Sequence, residues 1–119
     1  MDSDFTLKFT ERTKKFAIHV IQFCKTFEKT DEAFIIKKQL IRSVTSVAAN
    51  FRASVRGRSK AEWYSKICIV VEEADETKFW IELIEESKIK CDEKSLTKIK
   101  AESEEILKIV AKTRSGEWR

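Results

Sequence analysis

The stretch SKAEWYSKICIVVEEADETKFWIELI, residues 59–84, decides the fold. Its first four residues, Ser59-Lys60-Ala61-Glu62, have the S-x-x-E form of a capping box, in which the hydroxyl and the carboxylate satisfy the free N–H groups of a helix start. Trp63, Ile67, Val70, Ala74, Thr77, Ile81 and Ile84 follow at alternating spacings of four and three. Such a seam predicts one long helix with a continuous buried stripe. Ala74 and Thr77, small and central, let a neighbouring helix approach closely.

The same reasoning extends outward. Upstream, Gly57 is the one interior glycine and marks the stop of a preceding helix. That second helix is predicted to open at Thr30, a capping residue, with Asp31 and Glu32 set against its positive end. Its stripe is Leu40, Val44, Val47, Phe51 and Val55. A first helix, opening near Thr6 or Thr10, carries Phe16, Val20, Phe23 and Phe27 on one face. Downstream, Ser87 to Cys91 forms the last connection, and Asp92 caps a fourth helix with the stripe Leu96, Ile99, Ser103, Ile106 and Val110. Four helices of about 20 residues on short links lie as antiparallel neighbours. The expectation is an all-α, up-down-up-down four-helix bundle in one domain over residues 1–119. The bundle occupies about residues 8–113, with a frayed C-terminal tail at 114–119.

Composition agrees. The chain has 119 residues, 42% hydrophobic, with two Gly and no Pro. An all-β fold needs turn residues every 8–12 positions, so it is excluded. Three cysteines, Cys24, Cys68 and Cys91, are odd in number and widely spaced. They point away from a disulfide framework or zinc site and toward a reducing compartment. The first residues lack the basic region of a signal peptide, and the longest aliphatic run, Ile67–Val71, is far short of the ~20 residues that span a bilayer. A cytoplasmic protein with no membrane association is expected.

Few residues can carry catalysis. A di-iron bundle needs Glu-x-x-His on two helices, yet His19 is the only histidine and Phe16 stands three residues before it. Cys24 lies five positions from His19, a spacing that does not share a helix face. No phosphate loop or nucleophile elbow is present. Glu72 and Glu76 share a face, but no His or Cys joins them at ligand spacing. We therefore expect no enzyme, no cofactor and no metal.

Charge is the informative feature. Residues 1–60 carry 13 Lys and Arg against 6 acids, while residues 61–119 carry 11 against 14. No acid occurs from Ala33 to Ala61. Lys38, Arg42, Arg52 and Arg56 form a stripe on the second helix, about 200° from its core stripe. Arg58 and Lys60 extend it toward the third helix, whose free N–H groups favour anions. These six residues are the candidate nucleic-acid contacts, directed at the phosphate backbone since no exposed aromatic stacks beside them. The third helix holds seven carboxylates between Glu72 and Glu86. Glu72 and Glu76, with Tyr64 and Trp80 lying off the core seam, are the candidate oligomer interface.

Ser46-Val47-Ala48-Ala49-Asn50-Phe51-Arg52-Ala53 and Arg56-Gly57-Arg58-Ser59-Lys60-Ala61-Glu62-Trp63 resemble the small four-helix-bundle proteins related to those encoded in 23S rRNA intervening sequences. Val71-Glu72-Glu73-Ala74-Asp75-Glu76-Thr77, with Phe79-Trp80-Ile81-Glu82-Leu83, is similar to that family's third helix, and Arg12-Thr13-Lys14-Lys15-Phe16-Ala17 to its first. The resemblance runs from about Arg12 to Lys112. Ala48 stands where many members have Pro, and Ser54 and Val55 where many have Gly and an aromatic residue. The resemblance implies a ring-like homopentamer. A similar fold serves as the accessory protein of diversity-generating retroelements, where a basic pentamer binds a reverse transcriptase and nucleic acid. It supplies no catalytic residues. The combined expectation is a non-enzymatic homo-oligomer that binds nucleic acid, structured RNA above all, through the second-helix stripe. The alternative is a protein–protein adaptor or structural oligomer, in which the stripe meets the acidic third helix of a neighbour or a partner protein.

Overall fold

A computed structural model describes residues 3–116, which form four helices: α1 (Ser3–Cys24), α2 (Asp31–Val55), α3 (Lys60–Glu86) and α4 (Glu93–Arg114). Each helix packs on its neighbours in the cyclic order α1–α2–α3–α4–α1, with no diagonal packing among the described residues. The α2–α3 seam is the closest and the α1–α4 seam the loosest. The bundle is elongated, 45 × 21 × 18 Å.

Three helix starts are capped as their residue types dictate. Thr30 accepts from the N–H of Ala33 at 3.2 Å, Ser59 from Glu62 at 3.1 Å, and Asp92 from Ser95 at 3.1 Å. The Glu62 carboxylate accepts the N–H of Arg58, one residue before the cap, at 2.7 Å. The capping box is therefore displaced outward by one residue and ties the turn to the helix.

All seven seam residues of α3 and all five of α4 are buried. In α2 the stripe holds from Leu40 to Phe51, but Val55 is exposed and Ser54, which continues the alternation of four and three, is buried in its place. The first helix begins earlier than either threonine cap predicts. Phe5 and Phe9 stack on one another and meet Phe51 edge-on, with centroids 6.5 and 4.8 Å from its ring. That aromatic packing extends the helix by a turn, and Thr6 is buried inside it. Gly57 works by space: an added Cβ would stand 3.1 Å from the backbone nitrogen of Trp63 and 3.2 Å from the carbonyl of Ser54.

At the opposite end the two loops are stitched together. Glu28 donates its N–H to the carbonyl of Lys90 at 2.9 Å, and its carboxylate accepts the N–H of Lys90 at 3.0 Å. The N–H of Asp92 donates to Thr26 Oγ1 at 3.0 Å. Of the tail, Ser115 caps α4 and Gly116 follows it, while residues 117–119 lie outside the described residues.

Candidate nucleic-acid interface

The fold gathers one end of each helix at a common tip: the start of α1, the end of α2, the start of α3 and the end of α4. Phe5 against Phe51, and Phe5 beside Ile109, fix that arrangement. Residues 3–8, 52–66 and 108–116 place nine Lys and Arg there against two acids, Asp4 and Glu62. The opposite tip, residues 19–38 and 80–98, holds eight of each sign. The bundle is thus electrically polar along its length, which composition by halves only partly conveys.

Both acids at the basic tip already have cations. Asp4 pairs with Lys8 at 3.3 Å, and Glu62 with Arg58 at 3.8 Å. Arg52, Arg56, Lys60, Lys66, Lys112 and Arg114 have no in-chain ion pair among the described residues. Arg56 and Lys66 flank a shallow notch of about 370 Å³ at the α2–α3 turn. Lys66, Lys112 and Arg114 escape sequence reasoning because α3 and α4 bring them to the same end of the bundle only once it is packed. The helix lengths and antiparallel order were the signal that could have placed them.

The second-helix stripe does not survive as one surface. Lys38 is exposed and lies over the Phe34 ring, 5.5 Å from its centroid. Arg42 is committed inside the chain: one guanidinium nitrogen donates to Glu73 at 2.7 Å and another to Glu76. The same Glu76 carboxylate accepts from Trp80 Nε1 at 2.9 Å. The indole hydrogen bond, then Arg42, hold its carboxyl below the ordinary value of 4.5. Arg42 is half-exposed, with its guanidinium engaged by two carboxylates of α3. Of the expected interface residues, Glu76 joins α3 to α2 through Arg42, and Trp80, bonded to Glu76 on its own helix, is half-buried against the core. Glu72 and Tyr64 do face outward.

Two further surfaces are not charged stripes. The outer α1–α2 face carries exposed Ile18 and Ile21 at a groove of about 300 Å³. Small residues, Ala17, Thr45, Ala48 and Ala49, line that groove, with Lys14 and Arg52 at its edge. The loose α1–α4 seam is bridged by Arg12, whose Nε and Nη2 donate to the two oxygens of Glu102 at 2.8 and 2.7 Å. Beside this bridge lies a cleft of about 330 Å³ containing the chain's only histidine.

Cys24 and Cys91 offer little reactivity. Burial pushes Cys24 up to about 12. Burial, then Glu93 and Asp92, push Cys91 to about 11. Both remain protonated near neutrality, and a thiol rather than a thiolate is a poor nucleophile. Among the described residues no group of three or more His, Cys, Asp or Glu is placed to hold a metal ion. No described helix is long and apolar enough to cross a membrane.

Among curated proteins none matches the chain significantly. The crystal structure of a protein of unknown function from the S23 ribosomal protein family of Bacteroides thetaiotaomicron VPI-5482 is similar, at 27% identity and a TM-score of 0.81, over 93% of this chain and 98% of that one. The model of the family described as 23S rRNA-intervening sequence protein matches residues 6–112. That span takes in α2, α3 and nearly all of α1 and α4, and the chain belongs to the 23S rRNA-intervening sequence protein family.

Proposed function

We propose that this chain is a non-enzymatic nucleic-acid-binding protein that grips the phosphate backbone of structured RNA with its basic tip, and that it assembles into a ring-like homo-oligomer, a pentamer. One observation carries the nucleic-acid reading: among the described residues, nine Lys and Arg stand against two acids at one end of the bundle, with both acids already paired. Cations without in-chain partners lose little on meeting a phosphate, and each contact releases condensed counterions. The binding residues are Arg52, Arg56, Arg58 and Lys60, joined by Lys66. Lys38 contributes at a distance and Arg42 does not. A ring supports this reading because it multiplies weak contacts along one polyanion.

A second reading, a protein–protein adaptor, is favoured by the apolar α1–α2 face. Exposed apolar surface of that kind marks an interaction site. The outward face of α3, with Tyr64, Glu72 and Phe79, is its acidic and aromatic counterpart. Contact between unlike faces is head-to-tail and closes into a ring when the rotation permits.

The experiment is a fluorescence titration of a structured RNA and a duplex DNA of equal length at two salt concentrations, with particle mass measured by light scattering. RNA binding that weakens steeply with salt, and is lost in the Arg52→Gln/Arg56→Gln/Arg58→Gln/Lys60→Gln variant, is the expected result. No binding at low salt overturns the nucleic-acid reading and leaves the adaptor. A monomeric mass at every salt concentration overturns the ring.

A further inference from the structure

We propose that the cleft between α1 and α4 is a binding site for a small aromatic anion, a flat ring carrying one carboxylate or phosphate through a short linker. The inference is independent of the nucleic-acid reading and concerns a different face. The α1–α4 seam is the loosest of the four, and the Arg12–Glu102 bridge holds it at mid-length. Toward the end of α1 the helices leave a cleft of about 330 Å³. That is near the lower end of the ~300–1,000 Å³ typical of small-molecule sites, enough for a mononucleotide or an aromatic acid.

The lining has two kinds of residue. Phe16, Phe23 and Ile99 are buried and form an apolar floor. A flat ring placed there removes apolar surface from water. At the mouth stand His19 and Gln22 from α1 and Lys98 from α4, all exposed. None of the three has a hydrogen bond or ion pair within the described residues. Their chemistry is that of donors: an ammonium, an amide and an imidazole.

Glu102 is the one carboxylate in the lining, and both its oxygens are occupied by Arg12. It therefore does not repel an anion as an unpaired carboxylate would. Beyond the lining, Asp92 caps α4 through Ser95, although it lies within electrostatic reach of Lys98. An anionic group fits between Lys98 and His19, with its ring on the phenylalanine floor. A cation fits poorly, because the cleft has no unoccupied carboxylate to receive it. The chain's lone histidine thus acquires a role that its place beside the α1 stripe does not suggest.

The test is an NMR titration of the ¹⁵N-labelled full chain with indole-3-acetate and with adenosine monophosphate, against indole, acetate and inorganic phosphate as controls. Saturable shifts centred on His19, Gln22 and Lys98 are expected with one or both ring-bearing anions. The relative strength of the two arms says whether the acid is a carboxylate or a phosphate. Each control binds at least about tenfold more weakly, because floor and mouth contribute together. Lys98→Ala and His19→Ala each weaken binding by about tenfold, the loss of one charge-assisted hydrogen bond. Both residues are exposed, so their thermal unfolding serves as a control and stays unchanged. Shifts confined to Arg56, Lys60 and Lys66, equal binding of phosphate alone, unaltered affinity in both variants, or no saturation would each overturn the proposal.

Discussion

Ser103 puts a hydroxyl into the core with no hydrogen-bond partner. It lies on the α4 stripe among Phe16, Val47, Ala74, Thr77 and Ile106, in a gap too small for a water. Thr77 is nearby but spends its hydroxyl on Ser43, at 2.9 Å, and on the carbonyl of Glu73, at 2.8 Å. A buried orphan hydroxyl costs free energy, and alanine is the better helix former. Ser103→Ala should therefore raise stability by about 1 kcal/mol, seen as a thermal midpoint higher by roughly 4 °C. An unchanged midpoint would mean that the hydroxyl is satisfied. Lys88 is a second strained position, with φ of 58° just past the end of α3. Its N–H donates to Glu85 and that of Ile89 to Ile84, at 3.2 and 3.3 Å, closing a Schellman turn on the buried Ile89. Glycine is the residue that this backbone conformation favours. Lys88→Gly should stabilise by about 0.5–1 kcal/mol in urea unfolding, after allowing for the looser unfolded chain. A loss of stability would show that the lysine side chain makes a compensating contact.

Among the elements, helix existence and core faces were legible because one physical signal, apolar spacing of four and three, sets both. The α3 and α4 stripes are buried at every position named, and Thr30, Ser59 and Asp92 cap as their short polar side chains allow. The start of α1 was not legible, because it depends on Phe5 and Phe9 meeting Phe51, more than forty residues away. The partner of Arg42 was hidden for the same reason: Glu73 and Glu76 reach it only after α2 and α3 pack. That ion-pair cluster has a pH signature. Glu76 titrates below its ordinary 4.5 in the folded chain, so it binds fewer protons there than in the unfolded chain. Its contribution is present above pH 4.5 and is lost as pH falls through the lower folded value. Between pH 6 and about 2, thermal stability should fall more steeply in the parent chain than in Glu76→Gln. Equal slopes would place the acid sensitivity elsewhere, for instance at Asp92, whose carboxyl is also held low by Ser95.

At the scale of the whole molecule the decisive property is the charge difference between the two tips, which no single helix displays. The linear stripe and the folded tip differ in their forecast for one residue. If the stripe binds nucleic acid, Arg42 contributes as much as Arg56. If the tip binds, Arg42 only joins α2 to α3 through partly exposed ion pairs. Arg42→Gln should then cost about 0.5–1 kcal/mol of stability and leave RNA affinity unchanged. Arg56→Gln and Lys66→Gln should leave stability unchanged, since neither is ion-paired in the chain. Each should weaken RNA binding and make the slope of log affinity against log salt shallower by roughly 0.7–0.9, the counterion release of one phosphate contact. Salt titrations of the three variants beside the parent chain measure this directly. A shallower slope in Arg42→Gln would restore the linear stripe and imply that the ion pairs with Glu73 and Glu76 open when RNA binds. A parent slope in all three would move the binding surface off the α2–α3 turn. The expected pattern leaves the turn and the helix ends packed around it as the surface that RNA meets.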